Sequence, residues 1–325
     1  MVKSDSYDDL DRQLVHALQV DARAAFSRIA AVLGVSDKTV ARRYARLRSS
    51  GAVRVVGLAD PYLGGGMPWL VRVRCAPAAA GEVARALARR VDTAWVRLTS
   101  GGTEIVCALR GGADRDGEAL LLEHLPRTPR IEQVNAHCLL HVFYGGPLSL
   151  IAKQGALTPD QVRRLQPEPT AGRDTPLSDE DRRLVEALGR DARAGFGELC
   201  RVTGWSPSTV RRRLAELRGG GALYFDVDFD TRMFPGRAVW TMLWLTVDPR
   251  SLDAAGKALA GHPEVAFAAA TTGATNLHAS VACASVPALY EYLTHRVSTL
   301  NGVRAIETAP VLRGVKHAGP LLSGR

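Results

Sequence analysis

Several things are missing from this 325-residue chain. Cysteine is scarce. The five residues (Cys75, Cys107, Cys138, Cys200, Cys283) are odd in number, scattered, and nowhere spaced C-x-x-C. That argues against a disulfide framework or a zinc ribbon and reads as reduced thiols in a cytosolic protein. No long apolar run is present. The longest uncharged stretch, Val265 to Pro287, has "TTGATN" in its middle, which reads as a turn between two strands rather than a membrane span. The opening "MVKSDSYDDLDRQL" is acidic and has no apolar core, so it does not read as a signal peptide. G-x-S-x-G, H-E-x-x-H and a phosphate loop are all absent, and "GGPLS" is only a turn, so no catalytic residue, cofactor or metal is assigned. His137, Cys138 and His141 invite a metal reading, but residues four apart on a strand lie about 13 Å apart and cannot share one ion.

Acidic residues are also in deficit. Lys and Arg number 42 against 33 Asp and Glu, giving a net charge of +9 carried almost wholly by Arg. A pI near 9.7 points to nucleic acid or another polyanion. The hydrophobic fraction, 46%, is that of a globular protein, and the length suggests two to four domains.

What is present is a repeat. Asp8–Val53 laid on Ser178–Leu223 at a constant shift of 170 matches at 24 of 46 positions with no gap. In the first copy an apolar stripe (Leu10, Leu14, Leu18) reads as a first helix, Phe26–Leu33 as a short second one ended by Gly34, and Ser36 as the N-cap of a third. In the second copy Ser206 is followed by Pro207, the preferred first helical residue. Two helices joined at a glycine make a helix-turn-helix. On the third helix Val40, Tyr44 and Leu47 share the core face, as do Val210, Leu214 and Leu217. The opposite face carries Lys38, Arg42 and Arg46 in one copy and Ser208, Arg212 and Glu216 in the other, with Arg211 to one side. A core-backed helix with an Arg-rich outer face suits the DNA major groove. Residues 27–54 carry +6 and residues 197–224 carry +3, which together equal the whole net charge.

After each module the periodicity predicts β-α-β-β-α-β, the ferredoxin-like order. The first run is Val53–Ala59 as a hinge strand, then Trp69–Cys75, helix Ala79–Arg90, Ala94–Thr99, Glu104–Leu109, helix Asp116–Leu125 and Ile131–Phe143. The second is Ala238–Val247, helix Leu252–Ala260, Val265–Thr271, Leu277–Cys283, helix Val286–Val297 and Val303–Arg313. Gly145–Pro176, rich in Pro and Gly, reads as a linker with one short helix, Pro159–Leu165. Trp69, Trp240 and Trp244 fall in strands and read as core or interface.

These residues resemble the Lrp/AsnC transcriptional regulators. The resemblance rests on "LDRQLVHALQVDARAAFSRIAAVLGVSDKTVARRYARL" followed by "GAV" and "ADPYLG", on "LSDEDRRLVEALGRDARAGFGELCRVTGWSPSTVRRRLAEL", and on "TTGATNL" as the turn between middle strands. It implies an α+β chain: a tandem repeat of winged-type helix-turn-helix followed by a ferredoxin-like effector domain, fused as an intrachain pseudo-dimer. The corresponding boundaries are 1–56 and 177–225 for the helix-turn-helices, 57–144 and 226–325 for the effector domains, and 145–176 for the linker. It also implies double-stranded DNA and a small effector such as an amino acid as partners, no membrane, two unequal half-sites about 34–36 Å apart, and homo-oligomers of fused pseudo-dimers. Candidate DNA contacts are Ser36, Lys38, Thr39, Arg42, Arg43 and Arg46, then Ser206, Ser208, Thr209, Arg211 and Arg212. Candidate effector contacts are Ser100, Gly101 and Glu104, then Thr272, Gly273 and Asn276, where Asn276 lacks the charge that Glu104 keeps. The leading expectation is a sequence-specific transcriptional regulator and not an enzyme. The alternatives are a tetrapyrrole enzyme like the siroheme decarboxylases, of which "NAHCLLHVFYG" offers an echo, and an architectural DNA-binding protein.

Overall fold

The computed structural model describes residues 7–60, 62, 67–110, 119–167 and 177–320. The chain forms two compact units, and each draws on both halves of the sequence. One comprises Met1–Asp60 with Ile151–Pro235, the other Pro61–Leu150 with Gly236–Arg325.

The first unit holds both three-helix modules. In the first, α1 (Asp9–Val20) starts at a capping box in which Asp8 accepts from the Asp11 N–H and Asp11 reaches back to the Asp8 N–H. α2 (Phe26–Leu33) stops at Gly34, whose φ of 70° is the left-handed conformation that glycine adopts without strain. α3 (Asp37–Ser49) is capped by Ser36. Leu14, Leu18, Ile29, Val40, Tyr44 and Leu47 fill the core between them. The strand β1 (Val53–Ala59) follows.

The helix Pro159–Leu165 (α5; α4, Pro77–Arg89, belongs to the second unit) is capped by Thr158 and packs on α1 and α2. The Leu157 N–H donates to His16 Nδ1, and Arg28 donates to the Arg164 carbonyl. This part of the expected linker is therefore a structural piece of the first module. The second module repeats the first as α6 (Asp179–Arg190), α7 (Phe196–Thr203), α8 (Pro207–Gly219) and β6 (Leu223–Phe229).

β1 and β6 pair antiparallel along their whole length. The residues 56 and 225, expected as domain ends, lie inside these two strands. The modules also clasp each other reciprocally. Arg23 donates to the carbonyls of Ala192 and Ala194, and Arg193 to those of Ala22 and Ala24.

The second unit is a closed eight-stranded barrel of order β10-β3-β4-β2-β5-β8-β9-β7. One half supplies β2 (Trp69–Cys75), β3 (Thr93–Thr99), β4 (Glu104–Leu109) and β5 (Ile131–Tyr144), the other β7 (Val239–Val247), β8 (Val265–Thr271), β9 (Leu277–Cys283) and β10 (Val303–Gly314). Each half has the ferredoxin-like strand order, and the halves join through β5–β8 and β10–β3.

Both faces of each sheet are covered, one by helices and the other by the opposite side of the barrel. Val71, Val73, Ile105 and Cys107 pack against the α4 helix (Pro77–Arg89). Leu243, Leu245, Leu277 and Val281 pack against α9 (Leu252–Ala260) and α10 (Val286–Tyr292). The alternate residues face the barrel interior, where Leu70, Val106, Leu139, Met242, Trp244 and Ala269 cluster.

The second helix of each half differs from expectation. Part of Asp116–Leu125 lies outside the described residues, and Leu120–His124 is a π turn. Likewise α10 ends at Tyr292 and Leu293–Val297 is a π turn. Here Thr294 Oγ1 donates to the Tyr290 carbonyl and Ser298 Oγ to the Thr294 carbonyl, a side-chain competition that loosens the regular helix ladder.

Candidate functional site

The recognition helices are the first place to look, and the structure sorts their polar residues into committed and uncommitted ones. Ser36 Oγ accepts from the Thr39 N–H at 3.1 Å, and its hydroxyl lies 2.9 Å from Thr39 Oγ1. Ser206 repeats this with the Thr209 N–H at 3.2 Å and also meets Ser208 Oγ at 2.9 Å. These serines are caps first.

Arg43 donates to Asp8 and Asp11, and Arg46 to Asp11 at 2.6 Å, so both turn back onto α1. Asp11 is 1% exposed and anchors the pair. In the second module Arg212 pairs with Glu216 at 2.6 Å, and Arg213 grips Asp181 through two 2.7 Å bonds. Burial works to raise the Asp181 carboxyl, but the Arg213 bonds and the Ser178 contact outweigh it and hold it below its usual range.

Lys38 and Arg42 are exposed and make no ion pair among the described residues. Arg211 has no carboxylate partner among the described residues either, and its guanidinium lies over the Phe196 ring at 4.6 Å. The first recognition helix therefore offers two free cations. The second is largely self-neutralised.

The two middle-strand turns differ in kind. Ser100 and Gly101 have φ of 54° and 69°. Glu104 is buried, accepting from Arg72 Nε at 2.8 Å and Thr99 Oγ1 at 3.0 Å, with Ser100 Oγ at 3.4 Å. In the other half the Thr272 carbonyl accepts from His137 Nδ1 at 2.8 Å, and Thr272 Oγ1 accepts from the Cys138 N–H at 2.9 Å. Gly273 sits against the same imidazole: a Cβ there would come within 2.7 Å of His137 Nδ1. The Asn276 side chain is used up on Val247, receiving from its N–H and donating to its carbonyl, both at 2.8 Å.

Both turns lead into the barrel interior, which is unusually polar. Arg72 lies 4.4 Å over the Trp244 ring and is held between Glu104 and Glu307. The Trp244 ring stands 5.0 Å from His137 and 4.2 Å from His278. Arg97 donates to Ser280 Oγ at 3.0 Å, faces the rings of Trp95 and Trp240, and has no carboxylate partner among the described residues. Burial pulls Arg97 down to about 10. Burial, with Arg97 and His137 nearby, pushes His278 down to about 3, so it is a neutral imidazole at pH 7.

Four nitrogens of this cluster are buried with no hydrogen-bond partner among the described residues: His137 Nε2, His278 Nδ1, Trp240 Nε1 and Trp244 Nε1. Because His137 Nδ1 donates to a carbonyl, its Nε2 carries the free lone pair. His141 takes no part: a register shift between Leu139 and His141 intervenes, and it packs on Phe143.

Sequence reasoning missed Arg72, Arg97 and His278 entirely and read Trp240 and Trp244 as core or interface. The available signal was the alternation of polar and aromatic residues at every second position, as in Trp240, Met242 and Trp244 on β7 and in His278 and Ser280 on β9.

An AsnC-type helix-turn-helix domain matches residues 8–48 and again 177–218, and an Lrp/AsnC ligand binding domain matches 241–321. The chain belongs to the Lrp/AsnC family. Among Lrp/AsnC relatives, it is 27% identical over 143 residues to the regulatory protein AsnC of Escherichia coli, covering 93% of that protein but only 42% of this chain. An uncharacterized HTH-type transcriptional regulator of Pyrococcus furiosus is 26% identical over 143 residues, 96% of its length and 44% of this one.

The crystal structure of the siroheme decarboxylase NirDL instead spans 95% of this chain and 93% of its own, with a TM-score of 0.65 and 15% identity. A second NirDL structure, in complex with an iron-uroporphyrin III analogue, aligns equally well. This likeness shows a shared fold: two Lrp/AsnC modules fused into one chain.

Proposed function

We propose that this fused Lrp/AsnC protein handles a tetrapyrrole polycarboxylate in the interior of its effector barrel, in the manner of a siroheme decarboxylase. The observation that carries the reading is the set of four unpartnered imidazole and indole nitrogens beside Arg97. Each buried polar atom left without a partner costs about 1–3 kcal/mol, so an ordinary core would not collect four of them. A flat aromatic ligand bearing carboxylates supplies what they lack. Its ring faces meet Trp240, Trp244 and the apolar wall of Leu70, Val106 and Leu139, and a carboxylate meets Arg97. Trp244 has no exposed surface, so a macrocycle enters only as that indole swings aside.

Loss of CO2 from an acetate side chain leaves the bonding electron pair on the methylene carbon, which must then take up a proton. The free lone pair of His137 Nε2 is one place in this barrel where that proton can be held. Arg72 is already neutralised by Glu104 and Glu307 and serves as a fixed wall.

The test is a titration of the purified chain with iron uroporphyrin III, followed by absorbance and tryptophan fluorescence. Saturable binding with quenching is expected, weakened about tenfold or more in R97L, since a hydrogen bond to a charged group contributes about 1.5–3 kcal/mol. Incubation with siroheme should then yield products lighter by whole CO2 units. An unchanged spectrum and fluorescence refutes the reading.

A second reading, a DNA-binding regulator, is favoured by the uncommitted Lys38 and Arg42 on the outer face of α3. It is tested on DNA from upstream of the protein's own gene against unrelated DNA across a salt series. A preference that survives moderate salt and is lost in K38A/R42A supports it. Equal and salt-sensitive binding to both would instead mark an architectural protein.

A further inference from the structure

The two modules of the helical unit are not equivalent in one respect that bears on ligands. Beside α3 lies a cleft of about 650 Å³ lined by Phe26, Ala41, Tyr44, Ala45, Arg48 and Arg193. The Phe26 and Tyr44 rings are 5.4 Å apart. Arg193 reaches across from the second module, held by the Ala22 and Ala24 carbonyls, with its guanidinium 4.4 Å from the Phe26 ring and 5.5 Å from that of Tyr44. Arg48, 57% exposed, pairs with Asp191 at 2.8 Å. The lining carries two guanidiniums and no carboxylate.

Shifted by 170 residues, the same positions are Phe196, Arg211, Leu214, Ala215 and Arg218, with Arg23 playing the part of Arg193 at 5.3 Å from the Phe196 ring. The decisive difference is at 41 and 211. In the second module the Arg211 guanidinium covers the Phe196 ring at 4.6 Å. In the first, Ala41 leaves the corresponding place beside Phe26 open. Phe196 is thus flanked by two guanidiniums, those of Arg23 and Arg211, and Phe26 by one, that of Arg193, so the second module carries an extra planar plug.

We propose that the cleft in the first module is a binding site for a planar aromatic monocarboxylate. Its ring stacks on Phe26 where the second module stacks Arg211 on Phe196, and its carboxylate meets Arg48 and Arg193. Ala41 and Ala45 belong to α3, the helix that carries Lys38 and Arg42, so an occupant touches the recognition helix and the clasp between modules at once. The inference is independent of what the barrel binds.

Benzoate and 4-hydroxybenzoate are the probes, titrated into the full chain by calorimetry and by saturation-transfer NMR. One site per chain is expected. A41R, which copies the plug of the second module, should weaken binding at least about tenfold, a loss of about 1.4 kcal/mol or more. R211A, which removes that plug, should add a second site. Absence of saturable benzoate binding, or full affinity in A41R, overturns the proposal. Should A41R not fold, as judged by circular dichroism, R211A decides alone: two sites support the proposal, and a stoichiometry unchanged at one overturns it.

Discussion

Replacing Gly273 with alanine perturbs the barrel at the point where a turn supports a buried imidazole, and the magnitude can be built from the geometry. Gly273 has φ of 108°, which an L-residue enters only with strain. Holding a side-chain-bearing residue in such a region costs about 1–3 kcal/mol. The new Cβ also lies 2.7 Å from His137 Nδ1. The ring must retreat and give up its bond to the Thr272 carbonyl, which removes about 0.5–1.5 kcal/mol more. The sum is about 1.5–4.5 kcal/mol.

The other half of the chain provides the control. Gly101 has φ of 69°, and a Cβ there would meet nothing within 4 Å. G101A should therefore cost only the left-handed penalty of about 1–2 kcal/mol. Urea unfolding followed by circular dichroism measures both, and the barrel transition is identified by tryptophan fluorescence. Because His137 moves only in G273A, that variant alone should also change the iron-uroporphyrin titration. Equal losses in the two variants, or a loss below about 0.5 kcal/mol in G273A, would refute the argument that Gly273 is there to seat His137.

Two further outcomes follow from the buried charges. The folded state holds His278 at about 3 against an ordinary 6.5, so the neutral form is favoured by folding. That contribution is complete above pH 6.5 and is lost as pH falls from 6.5 towards 3, at up to about 1.4 kcal/mol per pH unit. H278Q should thus lose about 2 kcal/mol less than the parent chain between pH 7 and 5 in urea unfolding, and identical losses would contradict it. Asp181, 1% exposed, is both a capping-box partner and the anchor of Arg213. D181N should destabilise the helical unit by about 2–4 kcal/mol, with D9N, at an exposed position, near zero. A D181N unfolding midpoint no lower than that of D9N would contradict it.

Much of this fold is legible residue by residue. The caps Ser36 and Ser206, the stops Gly34 and Gly204, and the stripe Val40, Tyr44 and Leu47 specify the helix-turn-helices through local hydrogen bonds and a 3.6-residue period. Strands such as Val265–Thr271 and Leu277–Cys283 keep their expected limits because the turn between them is written in Gly273 and its neighbours. Local signals failed at the π turns, where hydroxyl groups compete with the helix ladder, and at Arg43 and Arg46. Both were expected as DNA contacts, Arg46 from its place on the outer face of α3. Asp8 and Asp11, more than thirty residues earlier, claim them once α1 packs beside α3.

The sequence alone thus determined the elements, their duplication and the charge on each recognition helix, because each of these depends on neighbours within a few positions. Which side chains meet depended on the tertiary structure. Arg97 of β3, His137 of β5, Trp244 of β7 and His278 of β9 carry no shared motif, and only closure of eight strands into one barrel turns them toward a common interior. The difference between Ala41 and Arg211 is visible in the sequence as one unmatched pair. It became an open cleft and a filled one only when Phe26 and Phe196 were placed beneath them.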